Sequence, residues 1–508
     1  MNMNLRSGWG ERKEKIMKKT LSILLILASL MGIAACGETP AGGNDNDTSK
    51  SDDVTTAASE ESTDPRYAIK ENLPDKKYDD YSIRILMRNS TSPDWIGDMF
   101  SDDLTGEVIG DAVYKRNASV SERFGVKFEL IKSSNNNYET DGVNSILAGE
   151  DAYDIIIPHA RAAFKYAEQS LCLDWNKDLP YVDLEKPWWD QDARKSFEIN
   201  GKLYTMVGDI SYQALAQTDC MLFNKTLFDK YGEEYLYQKV LDDEWTFDEF
   251  SRLVKLVSED LDGNGKFEPD KDLFGYATYQ WVGPIQALTT GGGRIVEADK
   301  DGVLKLSINT ERNIKVFEDY FKLLDTDNCY MELNRDEKLS VYDCKKVFSE
   351  GRALFMDGNL NDISYLRDMK DDFGIVPAPK YDTTCEKYYT NVDSGTNLFI
   401  VPITNSDAER TSVILEALCA EGYRTVIPAY YEVALQTKYT RDDLSVQMLD
   451  IIKEGRVFDI GYYYCGGTFG SAGYNLAKTT DHNFSTYYAQ NESKVSADLT
   501  KIIEEYGK

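Results

Sequence analysis

Tyr81-Ser82-Ile83-Arg84-Ile85-Leu86-Met87 begins the ordered part of this chain. Tyr81, Ile83, Ile85 and Met87 alternate with Ser82, Arg84 and Leu86 at the period of a β-strand. Ile109, Val113, Val120 and Phe124 then recur at helical spacing, and Gly125 stands where a helix stops. Val126, Phe128 and Leu130 alternate again, a second helix is expected over about Asp141 to Ala148, and Ile155-Ile156-Ile157 reads as a strand buried on both faces. The order is βαβαβ, which predicts an α/β fold with a mainly parallel sheet and right-handed crossovers. Ligands of such sheets bind beyond the carboxyl ends of the strands. Arg88-Asn89 and Pro158-His159 occupy those ends.

A second unit of the same kind starts at Cys220-Met221-Leu222-Phe223. Thr246 and Glu249 form a T-x-x-E capping box for a helix expected to reach about Ser258. Phe274 to Thr278 is read as a strand, Asn309 to Leu324 as an amphipathic helix, and Arg352 to Met356 and Asp372 to Val376 as further strands. Leu398-Phe399-Ile400-Val401 is read as a strand, and Ser406-x-x-Glu409 as the cap of a helix ending before Gly422. From Tyr423 to Lys508 the pattern is mostly helical, apart from a loop at Gly466-Gly467.

Upstream of the first strand, Met17-Lys18-Lys19 precede a short apolar run from Leu21 to Ala35. A membrane-spanning helix needs about 20 predominantly apolar residues, so this run reads as a signal-peptide core. Glu11 and Glu14 do not suit a leader's basic end, which points to Met17 as the true start. The junction Ile33-Ala34-Ala35-Cys36 resembles a bacterial lipoprotein signal, and that resemblance implies cleavage after residue 35 and lipid on Cys36. Residues 36–77, rich in Gly, Ser, Thr, Asp and Asn, bury too little surface to offset their ordering entropy and read as a disordered tether.

The whole chain of 508 residues carries 87 Asp and Glu against 57 Lys and Arg, a net charge of -30. Removing the leader takes away six basic and two acidic residues, leaving -34. Such a surface repels phosphate backbones, so nucleic acid is excluded as a partner and acidic solutes are disfavoured as cargo. With two histidines and no CxxC or HExxH, zinc-hydrolase and zinc-ribbon readings have no ligands. The eight cysteines are scattered and expected to be mostly free.

MLFNKTLFDKYG (221–232), WTFDEF (245–250), GRALFMDG (351–358), DFGIVPAPKY (372–381) and LFIVPITNSDAERTSVILEAL (398–418), with the leader and tether, resemble the family 1 extracellular solute-binding proteins of Gram-positive bacteria. The resemblance implies a two-lobed, periplasmic-binding-protein-like α/β fold with a ligand cleft between the lobes, and delivery of a captured sugar or oligosaccharide to the permease subunits of an ABC importer. It divides the chain into lobe 1 (78–215 plus 390–450), lobe 2 (216–389) and a C-terminal helical segment (451–508) packing across both. It also places Phe223-Asn224-Lys225 at the entry to lobe 2 and makes Gly358 the opening of a cleft-facing helix, with Asn359 where the family carries an aromatic-bearing turn.

Sugars present apolar C–H faces and many hydroxyls, so their sites combine flat aromatic rings with paired donors and acceptors. The chain has 33 Tyr and seven Trp. The candidate binding residues are Arg88, Trp95, His159, Tyr279, Trp281, Asn359 and Tyr463; each aromatic among them could equally pack the lobes, and His159 could equally cap local backbone. Trp188-Trp189, leading from Pro187 into a helix, read as structural. Asp260, Asp262, Asn264 and Lys266 hold positions 1, 3, 5 and 7 of an EF-hand-like loop, with Gly265 at position 6. Position 12 is Lys271, so closure of a calcium site falls to Glu268, Asp270 or Asp272; a plain polar turn is the alternative, and any bound Ca2+ would be structural. No motif singles out a catalytic pair. A surface-anchored glycan hydrolase and a ligand-sensing lipoprotein stay open beside the binding protein, all three on the extracellular face of the cell membrane.

Overall fold

In the computed structural model, residues 64–88, 98–133, 138–300, 303–333, 343–439 and 443–508 are described. The leader, Cys36, the tether up to residue 63 and Trp95 lie outside them. Thr63 to Lys508 forms one unit, built on two main sheets.

In the first sheet, β1 (Tyr81–Met87) lies between β2 (Val126–Lys132) and β3 (Ile155–Ile157), all parallel. The intervening helix Val108–Phe124 buries Val113, Val120 and Phe124 and stops at Gly125, whose φ of 59° is left-handed. Residues 397–402 run antiparallel beside this sheet through bridges from Asn397 to His159 and from Ile400 to Ile156, so the expected strand at 398–401 forms as isolated bridges only.

The second sheet contains β4 (Asp219–Asn224), β5 (Ser258–Glu259), β6 (Leu273–Tyr279), β9 (Cys329–Glu332), β10 (Ala353–Asn359) and β11 (Phe373–Val376). Its order is β11-β4-β10-β6-β5, with β9 parallel on β6. Two short antiparallel strands, β7 (Val296–Ala298) and β8 (Leu304–Leu306), stand apart. The connections between the sheets run side by side. Thr218 bridges Val392, the Asp393 N–H donates to the Gln217 carbonyl at 2.8 Å, and β12 (Thr390–Asn391) pairs parallel with β13 (Arg456–Val457). The helix Asp443–Glu454 reaches the second sheet's side, where the Tyr237 hydroxyl lies 3.0 Å from the Ser445 hydroxyl.

Several local expectations are corrected. The Thr246–Glu249 capping box does not form: the Phe247 N–H donates to the Lys380 carbonyl, Glu249 is taken by Arg252 and Lys239, and the helix ends at Val254 so that Ser258 can join β5. Asp407, not Ser406, caps the helix Ala408–Arg424, accepting from the Arg410 N–H at 2.9 Å. That helix also runs past Gly422, where any Cβ would collide with the Asp209 carbonyl. Finally, Gly358 opens no helix. It lies inside β10, paired with Cys220, and Asn359 caps the following 3-10 turn in a box with Asp362. A Cβ on Gly358 would lie 2.6 Å from Asp362 Oδ2, so glycine is what lets that carboxylate reach back to the Asn359 N–H.

Candidate functional site

Where β3, β6 and β10 end, the chain encloses a cavity of about 360 Å³. One wall carries His159 and Arg161, which follow β3, and Asp393-Ser394-Gly395 from the crossover. The other carries Tyr279 and Trp281 at the end of β6, Asp357-Gly358-Asn359 at the end of β10, and Lys345 and Asp362. Tyr462 completes the lining from the C-terminal region. The carboxyl ends of strands from both sheets therefore converge on one space, the arrangement that open α/β sheets use for ligands.

Of the sequence candidates, His159, Tyr279, Trp281 and Asn359 line this cavity. His159 also caps the helix Ala160–Glu168, its Nδ1 accepting from the Arg161 N–H at 3.3 Å. Burial, followed by the positive charges of Arg88, Arg161 and Lys165, pushes its imidazole down to about 3, so it is a neutral donor or acceptor. Arg88 is absent from the lining: it is buried and donates to the Gly395 carbonyl at 2.6 Å, holding the cavity's turn from behind. Tyr463 is a core residue. Its ring packs on Phe164 and Phe197 and its hydroxyl donates to the Val392 carbonyl at 2.8 Å, while its neighbour Tyr462 faces the cavity. On a five-residue helix, adjacent side chains must point in different directions, and packing decided which.

Trp281 stacks on Tyr474 with centroids 3.7 Å apart and planes 12° from parallel. The guanidinium of Arg161, from the opposite wall, lies 5.4 Å from the Trp281 ring and 5.5 Å from that of Tyr462. An arginine thus reaches from one wall to the aromatic ring of the other and to Tyr462, a cation–π contact across the cavity.

The polar lining that the sequence candidates did not include has three acidic residues, Asp357, Asp362 and Asp393, beside Arg161 and Lys345. Asp393 accepts from the Tyr462 hydroxyl at 2.6 Å and the Gly395 N–H at 2.7 Å. Asp362 is paired with Lys345 at 2.5 Å. Asp357 accepts from the hydroxyls of Tyr276 and Thr278 at 2.8 and 2.9 Å, both on its Oδ2. Burial raises the Asp357 carboxyl to about 7, against the lowering effect of those two hydroxyls. Its signal was in the sequence: a charged residue ending the apolar run Leu354-Phe355-Met356 of a strand buried on both faces.

The calcium-like loop lies on the second sheet's side, between β5 and β6. Asp260 accepts backbone N–H groups from Gly263, Asn264 and Gly265 at 2.8, 3.3 and 2.7 Å. Asp260, Asp262 and the buried Asp272 bring carboxylate oxygens within 4.8 Å of one another. The Lys271 ammonium sits 2.7 Å from Glu268 and 3.6 Å from Asp262. The cysteines at 172, 220, 329, 344, 385, 419 and 465 are all free. Among the described residues no helix is long and apolar enough to cross a membrane.

Sequence comparison with curated proteins returns no match. Among solved structures, a cyclo/maltodextrin-binding protein complexed with maltotetraose superposes with a TM-score of 0.53 at 15% identity, over 86% of this chain and 98% of that one. UspC of M. tuberculosis gives 0.53 at 13% identity, over 82% of this chain and 100% of that one. These likenesses establish the two-lobed binding-protein fold that the sequence resemblance implied. Residues 117–422, more than half of the chain, match the family model described as bacterial extracellular solute-binding protein. With its two sheets, paired crossovers and a cavity at the strand ends between them, the chain belongs to the bacterial extracellular solute-binding proteins.

Proposed function

We propose that this protein captures a sugar or oligosaccharide in the cavity between its sheets and delivers it to an ABC importer, standing on the outer face of the cell membrane by lipid on Cys36. The observation that carries the reading is the meeting of Tyr279, Trp281 and Tyr462 with Asp357, Asn359, Asp393 and Arg161 around one space. Rings take the C–H faces of a sugar, and the carboxylates, amide and guanidinium take its hydroxyls. The cyclo/maltodextrin-binding protein of the same fold holds maltotetraose. A solute touching both walls has higher affinity for the closed state, so it shifts the population toward closure by bending at the crossovers near 212–220 and 388–397. Arg161, the long flexible side chain over Trp281, is the group that gives way to a sugar.

Trp281→Ala should therefore weaken saccharide binding by about 1–3 kcal/mol, as loss of an aromatic anchor does, with little change in unliganded stability. Isothermal calorimetry beside thermal melts separates the outcomes: unchanged affinity with a large fall in melting temperature would make Trp281 a packing residue. The anchor has its own test. The Cys36→Ser protein should appear in the culture medium, and its continued fractionation with membranes would remove the lipid from the reading.

We also propose that the Asp260 loop binds a structural Ca2+. Three carboxylates with oxygens within 4.8 Å fit a hard, oxygen-seeking cation, Asp272 closes the loop one position late, and the Lys271 ammonium swings out. A site of this kind stabilises by about 2.7 kcal/mol at a hundredfold excess over Kd. Calcium should raise the melting temperature, and Asp262→Ala should abolish that response with little effect in chelator. An equal calcium shift in variant and parent would place the ion elsewhere.

A further inference from the structure

Four carboxylates gather at the cavity: Asp357, Asp362 and Asp393 on its lining, and Asp219 behind Asn359, its partner in the β4–β10 register. They feel one another. Asp219 is held well above the usual carboxylate range, first by burial and then by the charge of Asp393, with Asp357 and Asp362 adding to it. Among the described residues the lining offers two cations in return, Lys345 and Arg161. Lys345 is paired with Asp362. Arg161 lies over Tyr462, whose hydroxyl is held by Asp393.

Among the described residues Asp357 is left without a positive counterpart. It is 2% exposed, and while Oδ2 takes two hydroxyls, Oδ1 has no hydrogen-bond partner among the described residues. The group is also fixed in place: a Cβ on the neighbouring Gly283 would lie 2.7 Å from Asp357 Oδ2. A buried acceptor on a cavity lining with one oxygen unfilled is the mark of a site waiting for a donor. Where the carboxyl is ionised, a sugar hydroxyl would fill the bond but leave the charge, and closing the lobes over an uncompensated carboxylate is costly. A protonated amine does both: it donates to Oδ1 and cancels the charge.

Resting on the proposed sugar capture, we infer that the solute carries a protonated amine, an amino sugar or its oligomer, and that Asp357 accepts its ammonium. Asp357 is thereby the residue that sets specificity against neutral and N-acetylated sugars. Binding would be measured by calorimetry on the detergent-solubilised full chain. The probes are glucosamine, galactosamine and β-1,4-linked glucosamine oligomers, each set against its N-acetylated and its unsubstituted counterpart. At least one amine-bearing probe should bind tenfold or more tightly than both counterparts. Asp357→Asn should reduce that preference to less than threefold. Equal or tighter binding of a neutral counterpart overturns the amine and leaves sugar capture standing, as does a preference that survives Asp357→Asn. Absence of binding in every series overturns both. The matched probes decide the matter on the parent protein even if the variant fails to fold.

Discussion

Trp189→Ala is expected to lower the stability of the unliganded protein by about 3–5 kcal/mol, the cost of emptying a buried Trp site. Trp188 and Trp189 are 0% and 1% exposed, and their indole N–H groups donate to the two oxygens of Glu416 at 3.1 and 2.8 Å. Glu416 sits on the helix Ala408–Arg424, so the pair ties residues 188–189 to a helix more than two hundred positions away. Trp189 is also edge-on to Trp175 at 5.5 Å, and Gly208 leaves it room, since a Cβ there would lie 2.7 Å from the indole. The truncation therefore opens a cavity and strips a buried carboxylate of one donor. Urea unfolding reads the effect as a lower midpoint. A change below about 1 kcal/mol would mean that the clamp on Glu416 does not support the first lobe.

Unliganded stability should be greatest near pH 5 and fall toward pH 8. Burial raises Asp98 to about 6, Asp357 and Glu416 to about 7, and Asp219 well above its ordinary value. Between the ordinary carboxylate value near 4 and these raised values, the native protein holds protons that the unfolded chain has released, so stability drops as pH rises through that window. Each pH unit of the window is worth about 1.4 kcal/mol per group. His159, pushed down to about 3, acts oppositely: below its ordinary value near 6.5 the unfolded chain takes up a proton that the native ring refuses. One such group opposes these four acids and Asp209, which burial raises to about 8. Below about pH 4 a different set takes over, because Asp382, held at about 2 first by Arg312, contributes stability that is lost as it protonates. Melting temperatures from pH 4 to 9 give the curve. A profile that is flat or rising between pH 5 and 8 would contradict this placement of buried carboxyls.

The first sheet was legible because β1 and β2 alternate, β3 is an unbroken apolar run, and Gly125 punctuates the helix between the first two; all three signals are local. The second sheet was legible as apolar runs, yet β10 continues through Asp357-Gly358 to Asn359, where polar residues hide a strand held by pairing with β4. The two capping boxes misled for one reason. In each, another partner outcompetes the local pattern: the Glu249 carboxylate pairs with Arg252 and Lys239, and Asp407 caps in place of Ser406. In the site, aromatic residues following strands could be found from their position, which brought Tyr279 and Trp281 to the cavity. Arg161, Asp357, Asp362, Asp393 and Lys345 could not be chosen among many similar residues, because only the meeting of the two sheets sets them around one space.

Saccharide capture is tested most directly by titrating the detergent-solubilised chain with a glycan library, following melting temperature and reducing-sugar release together. At least one saccharide should stabilise the protein specifically, lose that effect in Trp281→Ala, and be recovered intact. Absence of stabilisation across the library would contradict capture, and consumption of a bound glycan would make the protein a hydrolase.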